Sequence, residues 1–594
     1  MGKNAAAGTG KNHAKKSFRL ILVKPSHYDD DGYVIQWLRS AIPSNTLAQL
    51  YGLARLCKNE DILGPDVEVT IDAYDETNRV LPIKRMLRNL ADADGGMLCL
   101  VGVQSNQFPR AIDVARPFRD AGLQVGIGGF HVSGCLSMLP ELPLDIRQAQ
   151  EMGISLFAGE AEGRFDLILK DCYAGALKPL YNFMADLPNL EGAVVPFLPA
   201  DVVAHTAGAN TSFDAGRGCP FQCSFCTIIN VQGRKSRTRS PDDVEAIVRE
   251  NLEQGIKRFF ITDDNFARNR SWEEIMDRLI HLREEEKLTF SIVIQVDTLC
   301  HKTPNFIEKC ARAGVKRVFI GLENINPDNL VAAKKRQNKI WEYRKMLQAW
   351  KAQGVLTYAG YILGFPEDTP EKIRRDIEII KHELPVDLLE FFFLTPLPGS
   401  EDHKTLYLKQ VWMDPDMNKY DLNHRTTHHP SMSDAAWEAI YAEVWESYYA
   451  LDHVETIMRR AAACRMNVGN LMFLMLWFYG CVSIERLHPL EGGWFRRRVR
   501  SQRRHGMPIE SALTFWPKRF AQVLHNQASW LLLLYRFGMI RRRIKKDPKA
   551  RDYMDASLRP VTDEEELETE LMQTHIDALP NTYGAPHRKV AAGV

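Results

Sequence analysis

GRGCPFQCSFC, residues 216–226, sets three cysteines (Cys219, Cys223 and Cys226) four and three residues apart, with an aromatic, Phe225, before the last. The stretch follows a β-rich run at residues 211–216, so the thiols fall in a loop at the end of a predicted strand. Thiolates are soft ligands suited to zinc or to an iron–sulfur cluster. A structural zinc site wants four closed ligands, and the nearest upstream candidate, His205, precedes the strand. Three thiolates on a four-iron cluster leave one iron open to a non-protein ligand, as catalysis requires. A zinc loop completed by a distant His or Cys is the bland alternative.

Downstream, strand-like runs at residues 258–262, 291–296, 317–320, 357–362 and 388–394 alternate with helical stretches at 241–252, 272–285, 304–313, 338–353 and 370–383. Six βα-like units predict a partial or full parallel barrel with its chemistry at the strand C-termini. Upstream, strands at 18–23, 67–73, 97–103, 123–127 and 155–158 alternate with helices at 46–57, 83–91 and 109–121. That pattern predicts a second parallel sheet, doubly wound in the flavodoxin or Rossmann manner. Its turns at 24–32, 104–108, 128–133 and 159–163 form the edge expected to hold a ligand.

The expected fold class is α/β. Its parts are a disordered lead-in (1–16), a Rossmann-like domain (17–178), a linker (179–210), a partial barrel (211–398), a helical C-terminal region (399–560) and an acidic disordered tail (561–594).

The cysteine spacing with Phe225 resembles the signature of the radical S-adenosylmethionine (SAM) superfamily. The resemblance implies that the three cysteines hold a [4Fe–4S] cluster whose open iron binds the amino and carboxylate groups of SAM. Reductive cleavage then yields methionine and a 5′-deoxyadenosyl radical. It also implies SAM contacts at Phe225, at Asp263, Asp264 and Asn265 (TDDNF, 262–266), at Gln295, at Gly321 and Glu323 (GLE, 321–323), and at Ile362 and Gly364 (GYILGFP, 360–366). Each piece alone is weak, since an acid at a strand end is more often a helix cap; their order behind the cysteines strengthens them.

PSNTL (43–47), GGFH (128–131) and GEAEG (159–163) resemble the cobalamin-binding domain fused to one radical SAM class. The implied cobalamin contacts are Ser44, Thr46, Ser105, Gly128, Gly129, His131, Gly159 and Glu160. The Asp-x-His-x-x-Gly loop whose His coordinates cobalt is absent. KPSHYDDDG (24–32) offers His27 with other neighbours, so cobalamin is expected without an imidazole ligand, His27 staying a candidate lower-face group. His131 reads as a loop or tail contact. The segment 226–239 is similar to the hopanoid-methylase branch, which implies methyl transfer to an unactivated carbon. A cyclase or rearrangement enzyme with the same cofactors, and a non-catalytic iron–sulfur or cobalamin sensor, stay open as alternatives. The resemblance also implies a small-molecule substrate and an electron donor such as flavodoxin or ferredoxin. It assigns no catalytic side chain and no oligomeric state.

The composition, 45% apolar and 25% charged, excludes a largely disordered, collagen-like or polytopic membrane chain. Without an apolar leader the chain is expected in the reducing cytosol, where the eight scattered cysteines are small buried apolar groups. The net charge of +1 conceals a basic block: residues 459–546 carry 18 Lys and Arg against 3 Asp and Glu. That block contains two apolar stretches, 468–484 and one beginning at 528, with Arg496–Arg504, Trp494, Trp516 and Trp530 between or beside them. Peripheral contact with the inner membrane surface, with an apolar or lipid-like substrate, is one reading. A capping subdomain with a solvated basic face is the other. Nucleic-acid binding is disfavoured, because no RNA-binding fold pattern accompanies the aromatics.

Overall fold

The computed structural model describes residues 15–561, so the expectations for the lead-in and the acidic tail lie outside the described residues except at their inner margins. The N-terminal sheet contains β1 (Lys16–Lys24), β2 (Val67–Asp75), β3 (Gly95–Leu100), β4 (Gln124–Gly128), β5 (Ser155–Ala158) and β6 (Leu180–Asn182). Their order is β2-β1-β3-β4-β5-β6, with every pair parallel. Leu20 and Leu22 of β1 join one buried apolar cluster while Ile21 and Val23 join another. Both faces of the sheet are therefore covered, which is why the central strands β1 and β3 hold continuous apolar runs, while β2 at the edge alternates. The order reverses between β1 and β3, placing the crevice where a doubly wound sheet takes its ligand. Strand β6 arises from the expected linker. Three residues at a sheet edge carry no readable period, so only pairing with β5 reveals them.

The second sheet contains β7 (Asn210–Phe213), β8 (Arg258–Ile261), β9 (Ser291–Val296), β10 (Val315–Glu323), β11 (Leu356–Leu363) and β12 (Leu388–Phe393). These pair in sequential order, all parallel, as an open partial (βα) barrel. Local chemistry starts and stops the intervening helices. Ser240 caps Pro241–Glu253 in a reciprocal box with Asp243, Thr369 caps Pro370–Glu383, and left-handed Gly314 ends Phe306–Ala313. The expected helix over 338–353 is shorter, Tyr343–Ala352 after a 3₁₀ turn, because Asn338 turns back to donate to the Gly321 and Leu322 carbonyls.

Strand β12 is buried along its whole length and includes Glu390, 1% exposed, whose Oε2 has no hydrogen-bond partner. Burial pushes its carboxyl up to about 8. The folded value lies above the unfolded one, near 4.3, so the folded state holds a proton that the unfolded chain releases. Stability from this group is complete below the unfolded value and is lost as pH rises through 8. Glu390→Gln is expected to abolish that loss, stabilising the protein by about 1–3 kcal/mol at pH 9 and little at pH 5. Denaturant unfolding at the two pH values checks it; parallel pH dependence in both proteins would show that the carboxyl is solvated.

Beyond β12 come helices Glu401–Leu408, Asp434–Tyr448, Leu451–Ala463, Val468–Gly480 and Ala512–Lys546. Trp445 and Tyr448 stack edge-on against Phe391, and Trp437 against Phe393, so Asp434–Tyr448 covers the outer face of the last barrel strand. Segment 468–485 is long and apolar enough to cross a membrane by length and composition, yet 44% of it is buried within the protein. Leu471, Met475 and Leu476 belong to the main core, which favours the core-helix reading of this stretch.

The basic block divides in two. Arg496 and Arg498 reach Asp29 at 2.7 and 2.6 Å and are nearly buried, Arg504 chelates Asp416, and Arg459 and Arg460 pair with Asp547 and Asp555. An antiparallel ribbon of Gly493–Arg497 with Gln36–Ser40 fastens this region to the N-terminal domain. The arginines between 496 and 504 thus act largely as internal ties. Trp530 is likewise turned inward, its Nε1 donating to Glu485 at 3.1 Å.

Candidate functional site

The cysteine loop begins where β7 ends. Gly216–Arg217 pairs antiparallel with Arg237–Thr238, closing the loop at its base. Gly218 must be glycine: its φ is +91°, and a Cβ would lie 2.6 Å from the Lys235 carbonyl oxygen. Asp263 accepts the Ala215 and Gly216 amides at 2.7 and 2.8 Å through Oδ1, and Asn269 at 2.8 Å through Oδ2. Asn265 is spent on Asp297, which Arg268 also clamps. The side chains of Asp263 and Asn265, two of the expected SAM contacts, are thus engaged within the protein. Their side chains face the backbone that they hold, a direction that strand-end sequence does not encode.

Zinc at its usual Zn–S distance holds two sulfurs no more than about 4.6 Å apart. Among the described residues, the trio of His, Cys, Asp or Glu donors that converges within 4.8 Å is His27, Asp421 and Glu491, not the cysteines. At least one pair of the three sulfurs therefore lies farther apart than a single zinc ion spans. Burial pushes the Cys219 thiol up to about 11 and Cys226 to about 12, so thiolates persist here only with a cation bound. Gln337 Nε2 donates to Cys223 Sγ at 3.4 Å.

Charged and apolar groups stand around the loop. Asp264 has its carboxyl raised to about 7 by burial, with neighbouring Asp263 adding to the rise, and is stabilised by any cation brought beside it. Lys335, missed by sequence reading, is buried and pairs with Glu323 at the end of β10. Its ammonium sits 5.8 Å from the Phe225 ring centre. Glu323 adopts φ +63°, a left-handed backbone that a bulky side chain avoids unless its surroundings impose it. Phe225 and Ile362 share one small apolar cluster with Phe365 and Phe392. Gln295 donates to the Asp263 carbonyl at 3.4 Å. Gly321 faces Glu323 and Lys335 at 2.8 and 3.0 Å from where its Cβ would stand, and Gly364 lies under Trp437. Lys335 was unreadable because it lies twelve residues beyond Glu323 with no strand end to mark it.

The flanks of this loop (Gly216, Arg217, Thr227 and Ile228) and Asp264 form one wall of a cavity of about 550 Å³. The opposite wall comes from the crevice of the N-terminal sheet: Lys24, Ser26 and His27 after β1, Gly102 and Gln104–Gln107 after β3, and Ser44 and Thr46. A narrower, mostly apolar cavity of about 180 Å³ continues from it, lined by Gly126, Gly128, Gly129, Phe157, Gly159 and Glu160. Eight of the nine expected cobalamin contacts therefore reach these two cavities.

His131 does not. It is 1% exposed, with its ring nitrogens on Ser105 at 3.2 Å and Asp145 at 2.9 Å and its face against Phe108. Gly129 is required by the fold itself, since at φ +150° a Cβ would lie 2.2 Å from the Val103 nitrogen. Glu160 reaches the cavity wall but is engaged there by Arg217 at 2.6 Å and by Arg237.

The remaining wall is contributed by the C-terminal region through Tyr420, Asp421, Leu422, His488, Leu490 and Glu491. His27 Nε2 lies 3.2 Å from Glu491 Oε1. Burial alone would lower the His27 pKa, but Glu491 and Asp421 outweigh it and leave the value raised. No local motif marked Asp421 or Glu491, which converge on His27 from nearly 400 and more residues away.

A thiol loop at the C-terminal mouth of a parallel partial barrel defines the class, and the comparisons agree: the family model of the Radical SAM superfamily matches residues 215–380. That segment is a radical SAM domain. The chain is similar to the bacteriochlorophyllide d C-8(2)-methyltransferase of Chlorobaculum tepidum, 26% identical over 353 residues that cover 55% of this chain and 72% of the relative. It is also similar to the hopanoid C-2 methylase of Rhodopseudomonas palustris, 26% identical over 294 residues, 48% of this chain and 53% of that one. The chain thus spans little more than half the length of the second relative. Among solved structures, the cobalamin-dependent S-adenosylmethionine radical enzyme OxsB with aqua-cobalamin bound shares the fold at a TM-score of 0.50 and 14% identity, over 94% of this chain and 84% of the other.

Proposed function

We propose that this protein is a cobalamin-dependent radical SAM enzyme that methylates an unactivated carbon. The observation that carries the reading is the single cavity of about 550 Å³ shared by the flanks of the thiol loop and the crevice of the doubly wound sheet. One cavity lets two cofactors meet one substrate. The methyl-transfer branch draws on the names of the relatives, a methyltransferase and a methylase.

Cys219, Cys223 and Cys226 would hold the cluster, Asp264 and Lys335 the amino and carboxylate ends of SAM, and Phe225 and Ile362 its adenine. Ser44, Thr46, Ser105, Gly102 and the Gly128 and Gly159 turns would hold cobalamin, with His27 a further candidate contact. When bound, these groups supply a 5′-deoxyadenosyl radical that removes a substrate hydrogen and a methyl group that replaces it. The protein's own contribution is orientation and exclusion of water. Asp263 and Gly218 fix the thiol loop, and Arg217 fixes the distance between the two cavity walls.

The test is anaerobic reconstitution with iron, sulfide and cobalamin, followed by reduction and product analysis with SAM. Methyl transfer predicts both 5′-deoxyadenosine and S-adenosylhomocysteine. Deoxyadenosine alone would move the protein to the cyclase or rearrangement class, and neither product would leave a non-catalytic sensor.

A further inference from the structure

Helix Ala512–Lys546 runs for 35 residues, about 52 Å at the usual rise. One face is committed to the protein: Phe515, Leu533, Phe537, Ile540 and Ile544 are buried, and Asn526 and Trp530 donate to Glu485. The opposite face should be polar in a helix that meets only water. It is apolar instead. Leu513, Trp516, Phe520, Leu524, Leu531 and Tyr535 fall in a single arc of about 100° on that side. Leu513 is 89% exposed, Phe520 67%, Leu531 65% and Tyr535 65%. Scattered exposed apolar residues need no explanation, but a continuous stripe along six turns does.

The helix has eight Lys and Arg and no Asp or Glu. Arg541, Arg542, Arg543, Lys545 and Lys546 crowd its last turns and are exposed. This charge selects among occupants. A second copy of the same helix would bring eight positive charges against eight, an arrangement that opposes self-association. An anionic bilayer satisfies both features at once, taking the stripe into the acyl boundary and the cations at its phosphates.

We propose that the solvent-facing side of helix Ala512–Lys546 docks the protein on an anionic phospholipid surface. The proposal stands independently of the reaction proposed above. On its committed side the helix supplies Gln522, His525, Asn526 and Ser529 to a polar cavity of about 370 Å³, which shares Ile35 and Asp421 with the main one.

Sedimentation of the full chain with large vesicles tests this. Binding is expected to vesicles containing phosphatidylglycerol, to fall at least about tenfold on pure phosphatidylcholine, and to weaken in high salt. Leu524→Glu/Leu531→Glu is expected to lose at least about tenfold of the binding while keeping its circular dichroism and melting temperature, because both side chains face solvent. Absence of vesicle binding, or binding that the double variant leaves unchanged, overturns the proposal. So does a dimer, seen by light scattering, that the double variant dissociates, since the stripe would then belong to a second copy.

Discussion

Cys223→Ala is expected to leave a folded protein that retains cobalamin but yields no 5′-deoxyadenosine above background, a loss of at least about 1000-fold. Cys223 is the most buried of the three cysteines; its sulfur accepts from Gln337 at 3.4 Å and lies in the field of Lys335. Its removal leaves a void the size of one sulfur atom and no broken salt bridge, so the fold has little reason to change. The measured quantities are iron, sulfide and deoxyadenosine after anaerobic reconstitution, with cobalamin binding as the control. Full iron content in the variant would mean that Cys223 is not a ligand. Zinc in place of iron in the parent protein would restore the bland reading of the loop.

Arg217→Met carries the largest expected cost to stability. The guanidinium reaches Glu160 at 2.6 Å, Glu162 at 2.6 Å and Asp214 at 3.0 Å, with every partner nearly buried. Glu160 and Glu162 follow β5 of the N-terminal sheet while Asp214 follows β7 of the barrel, so one side chain joins the two domains. Removing it takes the arginine from Glu162 and leaves Glu160 and Asp214 with one arginine each in a low-dielectric seam, and the expected destabilisation is about 3–5 kcal/mol. Its pH dependence identifies the cause. In the parent, burial alone would raise the Asp214 carboxyl, but Arg217 and Arg239 outweigh it and hold it below the usual carboxylate range. That stability is present above the unfolded pKa and lost as pH falls through the folded one. In the variant the stranded carboxylates favour protonation, so the deficit is expected to shrink between about pH 7 and pH 4. Denaturant unfolding at both pH values checks this, and a deficit independent of pH would assign the loss to packing.

These predictions concern groups of differing legibility. The thiol loop was readable because metal ligation constrains residue type and spacing over eleven contiguous residues. Both sheets were readable because buried parallel strands impose apolar runs at regular intervals. Asp263 and Asn265 stand at the expected strand end, with their side chains turned to partners within the protein. An acid after a strand can face a ligand or pin the neighbouring loop, and only the hydrogen bonds at 2.7–2.9 Å distinguish the two. His131 is likewise turned inward, because the helix that begins at Phe130 rotates it toward Asp145.

The basic C-terminal third shows the division most clearly. Its excess of arginine and its apolar stretches are properties of the chain, visible in any order of folding. Their meaning depends on partners more than 450 residues away, since Asp29 takes up Arg496 and Arg498. What remained outward was a stripe on one long helix. Local spacing fixes which residues share a helical face, because the period of 3.6 is set by the backbone. Which face turns to water is set by what packs against the other, and that information lies in long-range contacts alone.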